Sequence, residues 1–145
     1  MWYNGIIAWI LKSPFHSLLS KNTLLMEYTG RRSGKRFETP LNYARTGDEL
    51  TITSQRQRTW WRNFIGGAPV RLRLAGEQVN ARAIAQVDPD EVAQSLEKYL
   101  TAAPQIARFF QVSLDEQGHP KAVEVQLAAQ SRVTVRILFN SNQDG

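Results

Sequence analysis

The sequence of 145 residues contains no cysteine. This absence excludes a thiol nucleophile and a metal site with cysteine ligands, and it is typical of a reducing compartment, so we expect a cytoplasmic protein. Histidine is scarce as well: His16 and His119 are the only two, and neither lies in a carboxylate pattern that indicates a metal site. The sequence therefore predicts no metal centre.

Several catalytic signatures are also missing. No H-E-x-x-H, G-x-S-x-G or cysteine–histidine pattern occurs, and no G-x-x-x-x-G-K-[ST] loop is present. No pair of acids indicates glycoside chemistry, since Asp48 and Glu49 lie in a predicted turn, where solvated carboxylates are common. If the chain is an enzyme, we therefore expect a bound cofactor to carry the reactive atom.

Long hydrophobic runs are lacking too. Residues 1–21 are apolar in patches, but Lys12, Pro14 and His16 interrupt them, and no A-x-A-like cleavage site follows. The segment is too broken for a membrane span and does not resemble a targeting peptide. Its helical periodicity on either side of Pro14 predicts a helical hairpin. Two interpretations stay open: the hairpin packs on a sheet, or residues 2–19 contact a membrane peripherally through tryptophan and tyrosine.

From Thr23 onward the periodicity predicts a mainly antiparallel α+β fold. Short turns join consecutive strands, and three helical patterns follow them, the first capped by Asp88 with Pro89 at its first position. The predicted strands are Thr23–Thr29, Phe37–Arg45, Glu49–Ser54, Pro69–Ala75, Gln78–Val87 and Val133–Phe139. The predicted helices are Pro89–Leu100, Pro104–Phe110 and Pro120–Ala129. These elements favour a β-barrel-like core rather than a parallel sheet.

We predict a single domain over residues 1–145. It would comprise a helical segment (1–21), core strands and cofactor loops (22–87), helices (88–130) and a closing strand (131–140). A chain of this size buries roughly two thirds of its unfolded surface, so it needs no disulfide.

Positive charge is concentrated in one part of the sequence. Between Gly30 and Arg62 there are eight lysines and arginines and three acids, and this segment alone accounts for the formal net charge of +5. A local excess of this kind indicates a site for an anion.

The stretch "TGRRSGK" opens that segment. Gly30 and Gly34 permit backbone conformations in which main-chain N–H groups converge on an anion, and Ser33 adds a hydroxyl. Arg31, Arg32 and Lys35 add charge, and arginine can bind phosphate through two hydrogen bonds. Taken alone, this stretch is equally typical of an exposed hairpin turn.

A second cationic stretch, "SQRQRTWWRN", follows at Ser54–Asn63. Arg56, Arg58 and Arg62 flank Trp60 and Trp61, and Asn63 offers both a donor and an acceptor. One tryptophan would line a flavin-like ring while the cations reach phosphate. Alternatively, the pair forms the core and rim of a short helix.

The stretch "LLMEYTGRRSGKRFETPLNYARTGDELTITS" followed by "WWRN" resembles the deazaflavin-dependent nitroreductase and quinone reductase family. The resemblance covers about residues 14–87. It implies an FMN-binding-like split β-barrel, the reduced deazaflavin coenzyme F420, and hydride transfer to a quinone, nitro compound or similar small acceptor. At the matching positions the resemblance implies a phosphate or tail site formed by Arg31, Ser33, Gly34 and Lys35. It also implies a ring pocket with Thr39, Pro40 and Ser54, and an aromatic segment with Trp60, Trp61 and Asn63.

The sequence departs from the family in the second loop. Relatives commonly carry an S-K-G-G-x-P-type loop, whereas only five residues separate Ser54 from Trp60 here. We expect Arg56 and Arg58 to replace the missing glycine-rich phosphate contacts with side chains. FMN, and after it haem, are the alternative cofactors for a barrel of this type.

Two other functions compete with an oxidoreductase. One is a split-barrel protein that binds flavin or haem without catalysis. The other is a barrel that binds single-stranded nucleic acid through basic loops and stacked tryptophans, although no oligonucleotide motif is present and we expect no nucleic-acid partner. Split barrels often bury an apolar face by pairing, so a homodimer is a further expectation.

Overall fold

The computed structural model describes residues 23–46, 48–74 and 76–139. Within them lie seven strands: β1 (Thr23–Thr29), β2 (Arg36–Asn42), β3 (Ala44–Thr46), β4 (Glu49–Gln55), β5 (Ala68–Leu74), β6 (Glu77–Gln86) and β7 (Arg132–Phe139). They form one sheet in the order β2-β1-β5-β6-β7-β4-β3, and every neighbouring pair is antiparallel.

The sheet curls strongly, which follows from its two edge strands. β2 and β3 lie at opposite edges of the strand order, yet only Tyr43 separates them in the chain. Consecutive Cα atoms are about 3.8 Å apart, so the two edges have to approach each other. The predicted single strand Phe37–Arg45 is therefore wrong in one respect: it divides at Tyr43, because its first part pairs with β1 and its last part with β4.

Alternating side chains place the main core inside this curl. On β5, Val70 and Leu72 are buried while Arg71 is exposed, as the sequence pattern predicts. Trp61 and Phe64, from a 3₁₀ helix at Trp60–Phe64, pack into the same core. The core also contains Leu24, Met26, Leu50, Ile52, Ala81, Ala83, Val133, Val135 and Ile137.

Helices form a second core against one side of the sheet. They are α1 (Pro89–Ala102), a 3₁₀ helix at Pro104–Phe110, and α2 (Ala122–Ala129). Asp88 caps α1 as predicted, because its Oδ1 accepts a hydrogen bond from the Asp90 N–H at 3.2 Å. α2 begins two residues later than predicted, since Pro120 instead forms a bridge with Leu114. The mainly antiparallel α+β fold is thus confirmed.

The predicted N-terminal helical hairpin, with its proposed membrane contact through residues 2–19, lies outside the described residues. In the described part of the chain, no helix has the length and apolar character needed to cross a membrane.

Candidate cofactor site

The loop between β1 and β2 adopts a compact turn that depends on its two glycines. The Gly30 N–H donates to the Lys35 carbonyl at 2.8 Å, and the Gly34 N–H donates to the Gly30 carbonyl at 3.0 Å. Gly34 has a φ of +70°, which side chains disfavour. A Cβ on Gly30 would lie 2.9 Å from both the Phe37 ring and the Ser33 hydroxyl, so this position has no room for one.

Asn63 fastens this loop to the Trp60–Phe64 helix. Its Oδ1 accepts a hydrogen bond from the Arg31 N–H at 2.8 Å, and its Nδ2 donates to the Trp60 carbonyl at 2.8 Å. Arg31 adds a second link, because its Nη1 donates to the Arg62 carbonyl at 2.8 Å. The two cationic stretches, which are about 30 residues apart in sequence, therefore meet in space.

A cavity of about 720 Å³ lies where the two stretches meet. Three arginines line it, Arg31, Arg32 and Arg62, and no carboxylate among the described residues does. The backbone N–H groups of Arg32 and Ser33 have no hydrogen-bond partner within the described segments. The full lining is Gly30, Arg31, Arg32, Ser33, Phe37, Thr59, Arg62, Asn63 and Ile65. Free N–H groups beside unopposed cations can bind an oxyanion.

Apolar side chains also line this cavity. Phe37 and Ile65 are 42% and 49% exposed, which is unusual for large hydrophobic residues. Tyr28 supports Phe37 by stacking on it at 5.4 Å between ring centroids, and it contacts Phe64 edge-on at 5.2 Å. Burial raises the pKa of Tyr28, so its hydroxyl stays neutral at ordinary pH. The cavity lining thus combines cationic and apolar side chains.

Neither of the two tryptophans is among the residues that line the cavity. Trp60 is half-buried, and its Nε1 donates to the Ser54 hydroxyl at 3.0 Å. Trp61 is buried in the main core, and the Arg62 guanidinium lies 5.6 Å from its ring. The structure therefore matches the core-and-rim interpretation of this pair, and Ser54 holds Trp60 in place.

Other predicted site residues lie away from this cavity. Arg56 donates through Nη2 to the carbonyls of Val87 and Arg132, at 2.7 and 3.0 Å, so backbone oxygens already engage its guanidinium. Lys35 and Arg58 are exposed and line no described part of the cavity. Thr39 and Pro40 lie on β2, opposite Met26 and Leu25, and Pro40 lines a different cavity.

Three residues of the lining were not predicted to belong to the site: Phe37, Thr59 and Ile65. Arg62 was expected among the cations that reach phosphate, because it belongs to the cationic stretch that ends at Asn63. Phe37 could not have been found, since its alternation in β2 only indicates one face of a strand. Thr59 and Ile65 flank the Trp60–Phe64 helix, and their positions depend on how that helix packs against the loop.

Three solved structures have a similar fold. An F420-H2-dependent reductase is 16% identical, covering 81% of this chain and 96% of its own, with a TM-score of 0.52. A conserved hypothetical protein from Mycobacterium tuberculosis is 16% identical, covering 94% and 79%, with a TM-score of 0.52. An FAD- and haem-binding protein from Mycobacterium smegmatis is 16% identical, covering 91% and 69%, with a TM-score of 0.50. At these identities the likeness concerns the fold alone.

Sequence comparison gives the family. No curated protein sequence matches significantly. The family model of the F420H(2)-dependent quinone reductases matches residues 15–117, which include the Gly30–Lys35 loop, the Trp60–Phe64 helix and six of the seven strands in full. That match confirms the resemblance seen in the sequence. The chain therefore belongs to the F420H(2)-dependent quinone reductase family, an oxidoreductase family whose coenzyme is F420.

Proposed function

We propose that this protein binds reduced coenzyme F420 at the 720 Å³ cavity and transfers hydride to a quinone, nitro compound or similar small acceptor. One observation carries the proposal: three arginines and two residues with unpaired backbone N–H groups, Arg32 and Ser33, line the same cavity as the exposed side chains of Phe37 and Ile65. A phosphate attached to a planar ring system needs both kinds of surface.

The residues present fit the coenzyme. The N–H groups of Arg32 and Ser33, together with the Arg32 side chain, would hold the phosphate or tail, and Phe37 would cover apolar surface beside it. When bound, the reduced deazaflavin supplies the hydride, so the protein needs no nucleophile of its own. The task left to the chain is to position the coenzyme and acceptor and to exclude water from between them.

The arginines at the phosphate differ from those that the shortened loop suggested. Because the Arg56 guanidinium already donates to two carbonyls, we assign the side-chain charge to Arg31, Arg32 and Arg62. Arg31 also links two loops through the Arg62 carbonyl. Arg32 is therefore the better test position, since no hydrogen bond or ion pair engages its side chain in the described part of the chain.

The first prediction is that Arg32→Ala weakens F420 binding. We expect the dissociation constant to rise about 10-fold, as for the loss of one charged hydrogen bond. Titration of wild type and variant with F420, FMN and haem, followed by absorbance or fluorescence, measures this. Arg58→Ala is the matched control, because Arg58 is also an exposed cation but lies outside the cavity.

Turnover is the second part of this test. Reduced F420 and a soluble quinone or nitro compound are mixed with the protein, and the return of the oxidised coenzyme absorbance is followed. Saturable F420 binding without turnover would mean that the protein carries the coenzyme but does not catalyse hydride transfer. Preferential binding of FMN or haem would mean that this compound, and not F420, is the cofactor. An absence of binding to all three would refute the proposal.

The single domain over residues 1–145 and the homodimer remain proposals. Curling brings the sheet's two edge strands toward each other, which favours one closed folding unit. The exposed side chains of Val123 and Leu127 on α2 give a second copy an apolar surface to cover.

A further inference from the structure

A second cavity lies at the other end of β2. It has a volume of about 470 Å³ and shares no lining residue with the cavity at the Gly30–Lys35 loop. Leu41 from β2 and Ile106, Phe109 and Phe110 from the second 3₁₀ helix form its apolar walls. Arg132, the first residue of β7, is its only charged lining residue within the described chain.

The charge of Arg132 is poorly compensated. Its guanidinium lies 4.4 Å from the Phe110 ring centroid, and its one side-chain hydrogen bond is a long one of 3.4 Å from Nη2 to the Thr53 hydroxyl. Its Nε is buried without a partner, and no ion pair involves it in the described residues. Burial lowers the pKa of Arg132, which reflects the cost of holding this cation away from water.

A guanidinium without an anionic partner beside apolar walls calls for an explanation, and an acceptor bound to its Nη groups is a direct one. Tyr99 lines the same cavity, and its hydroxyl likewise has no hydrogen-bond partner in the described part of the chain. Glu124 lines an adjoining cavity that Arg132, Phe109 and Phe110 also line, but its carboxylate accepts from the Ser113 N–H at 2.5 Å and forms no ion pair with Arg132 in the described residues. The groove itself offers donors to an oxyanion, and no acid lines it in the described part of the chain.

The apolar walls indicate the rest of the ligand. Phe109 is 71% exposed although it adjoins a cavity, and Phe110 lies between Tyr99, at 6.0 Å between ring centroids, and the Arg132 guanidinium. Exposed aromatic rings beside a cation suit a flat ring system with an anionic substituent.

We propose that this groove binds a planar aromatic ligand carrying a carboxylate or a similar oxyanion, which accepts hydrogen bonds from Arg132 while its rings pack on Phe109 and Phe110. This binding does not depend on the proposed function, because the groove shares no lining residue with the cavity proposed for F420.

The test compares two probes of nearly identical shape, 2-naphthoate and the neutral 2-naphthamide. Calorimetry on the full chain without coenzyme should give at least about 10-fold tighter binding of the naphthoate, since the neutral probe forgoes a charged hydrogen bond. In Arg132→Gln the ratio of the naphthamide to the naphthoate dissociation constant should fall close to one, and in Arg132→Lys it should lie between that value and the wild-type ratio. Arg108→Gln is the matched control: Arg108 also lies over a ring, that of Phe109 at 5.1 Å, but does not line this groove.

Each outcome decides the proposal. Equal binding of the two probes by the wild type, binding of neither, or an unchanged ratio in Arg132→Gln would overturn it. Should that variant fail to fold, the wild-type ratio together with Arg132→Lys still decides. Arg32→Ala separates the two proposals, because it should weaken F420 binding and leave the naphthoate ratio unchanged. If F420 does not bind the wild type while naphthoate does, the proposed function fails and the groove remains a binding site.

Discussion

At the scale of single residues, Asn63 is the position on which the cofactor site most depends. Both ends of its amide are used: Oδ1 accepts from the Arg31 N–H, and Nδ2 donates to the Trp60 carbonyl, each at 2.8 Å. Only an amide supplies a donor and an acceptor at this length and geometry. Asn63 thus couples the Gly30–Lys35 loop to a helix whose other contacts belong to the main core.

We therefore expect Asn63→Asp to impair the site more than the fold. Aspartate keeps the acceptor for the Arg31 N–H but turns repulsive oxygen toward the Trp60 carbonyl, and it places a negative charge in a cavity proposed to hold phosphate. The dissociation constant for F420 should rise by more than 10-fold, while the free energy of unfolding falls by only about 1 kcal/mol. Fluorescence titration and urea unfolding measure the two quantities.

Asn80→Asp is the control for the added charge. Asn80 is exposed on β6, opposite Arg71 and outside the cavity. This variant should bind F420 as the wild type does. Equal losses of coenzyme affinity in both variants would mean that net charge, and not the amide link, determines binding.

At the scale of elements, β4 and β7 are joined by more than their backbone ladder. Arg136 donates to Glu49 through Nε at 2.8 Å and through Nη2 at 2.5 Å, a bidentate pair across neighbouring strands. The hydrogen bonds from Arg136 lower the pKa of Glu49 below its ordinary value of 4.5, and Glu49 in turn raises the pKa of Arg136. Both side chains are partly exposed, so the pair contributes less than about 1 kcal/mol.

This pair predicts a pH dependence of stability with a definite sign. A carboxylate whose pKa is lower in the folded than in the unfolded state stabilises the fold above its unfolded pKa. That stability is lost as the pH falls from about 4.5 through the lowered value. Glu49→Gln should therefore destabilise the protein by about 0.5–1 kcal/mol at pH 7 and by almost nothing at pH 3. Urea unfolding at the two pH values tests this, with the exposed Glu116→Gln as a control that should cost little at either.

The elements were largely predictable from the sequence, and the reasons are local. Alternation on β5, the apolar run of β1 and the Asp88–Pro89 start of α1 each depend on a few adjacent residues. The division at Tyr43 was not predictable, because it depends on which distant strands compete for the chain on either side. The same limit applies to the site: the family resemblance identifies the Gly30–Lys35 loop, whereas Arg56 was placed at the phosphate because the sequence does not show its contacts with Val87 and Arg132.

At the scale of the whole molecule, folding concentrates the net charge of +5 by bringing unpaired cations together at one cavity. Of the eight cations between Gly30 and Arg62, Arg36 pairs with Glu27 and Arg56 is bound to carbonyls. Three of the others line one cavity without an opposing carboxylate in the described residues. The field at the cavity is therefore stronger than the net charge alone suggests, and it attracts anions toward that end of the sheet.

Coenzyme affinity should consequently fall with ionic strength, though only to a limited extent. The Debye length shortens from about 10 Å at 0.1 M salt to about 3 Å at 1 M, which screens the exposed arginines but not the hydrogen bonds from Arg32 N and Ser33 N. We expect the dissociation constant for F420 to rise about 3- to 10-fold over that range, and the slope to shrink in Arg32→Ala. A single-stranded oligonucleotide tested in parallel would lose affinity far more steeply if it bound through many phosphates. Salt-independent F420 binding would show that ring contacts, and not the arginines, hold the coenzyme.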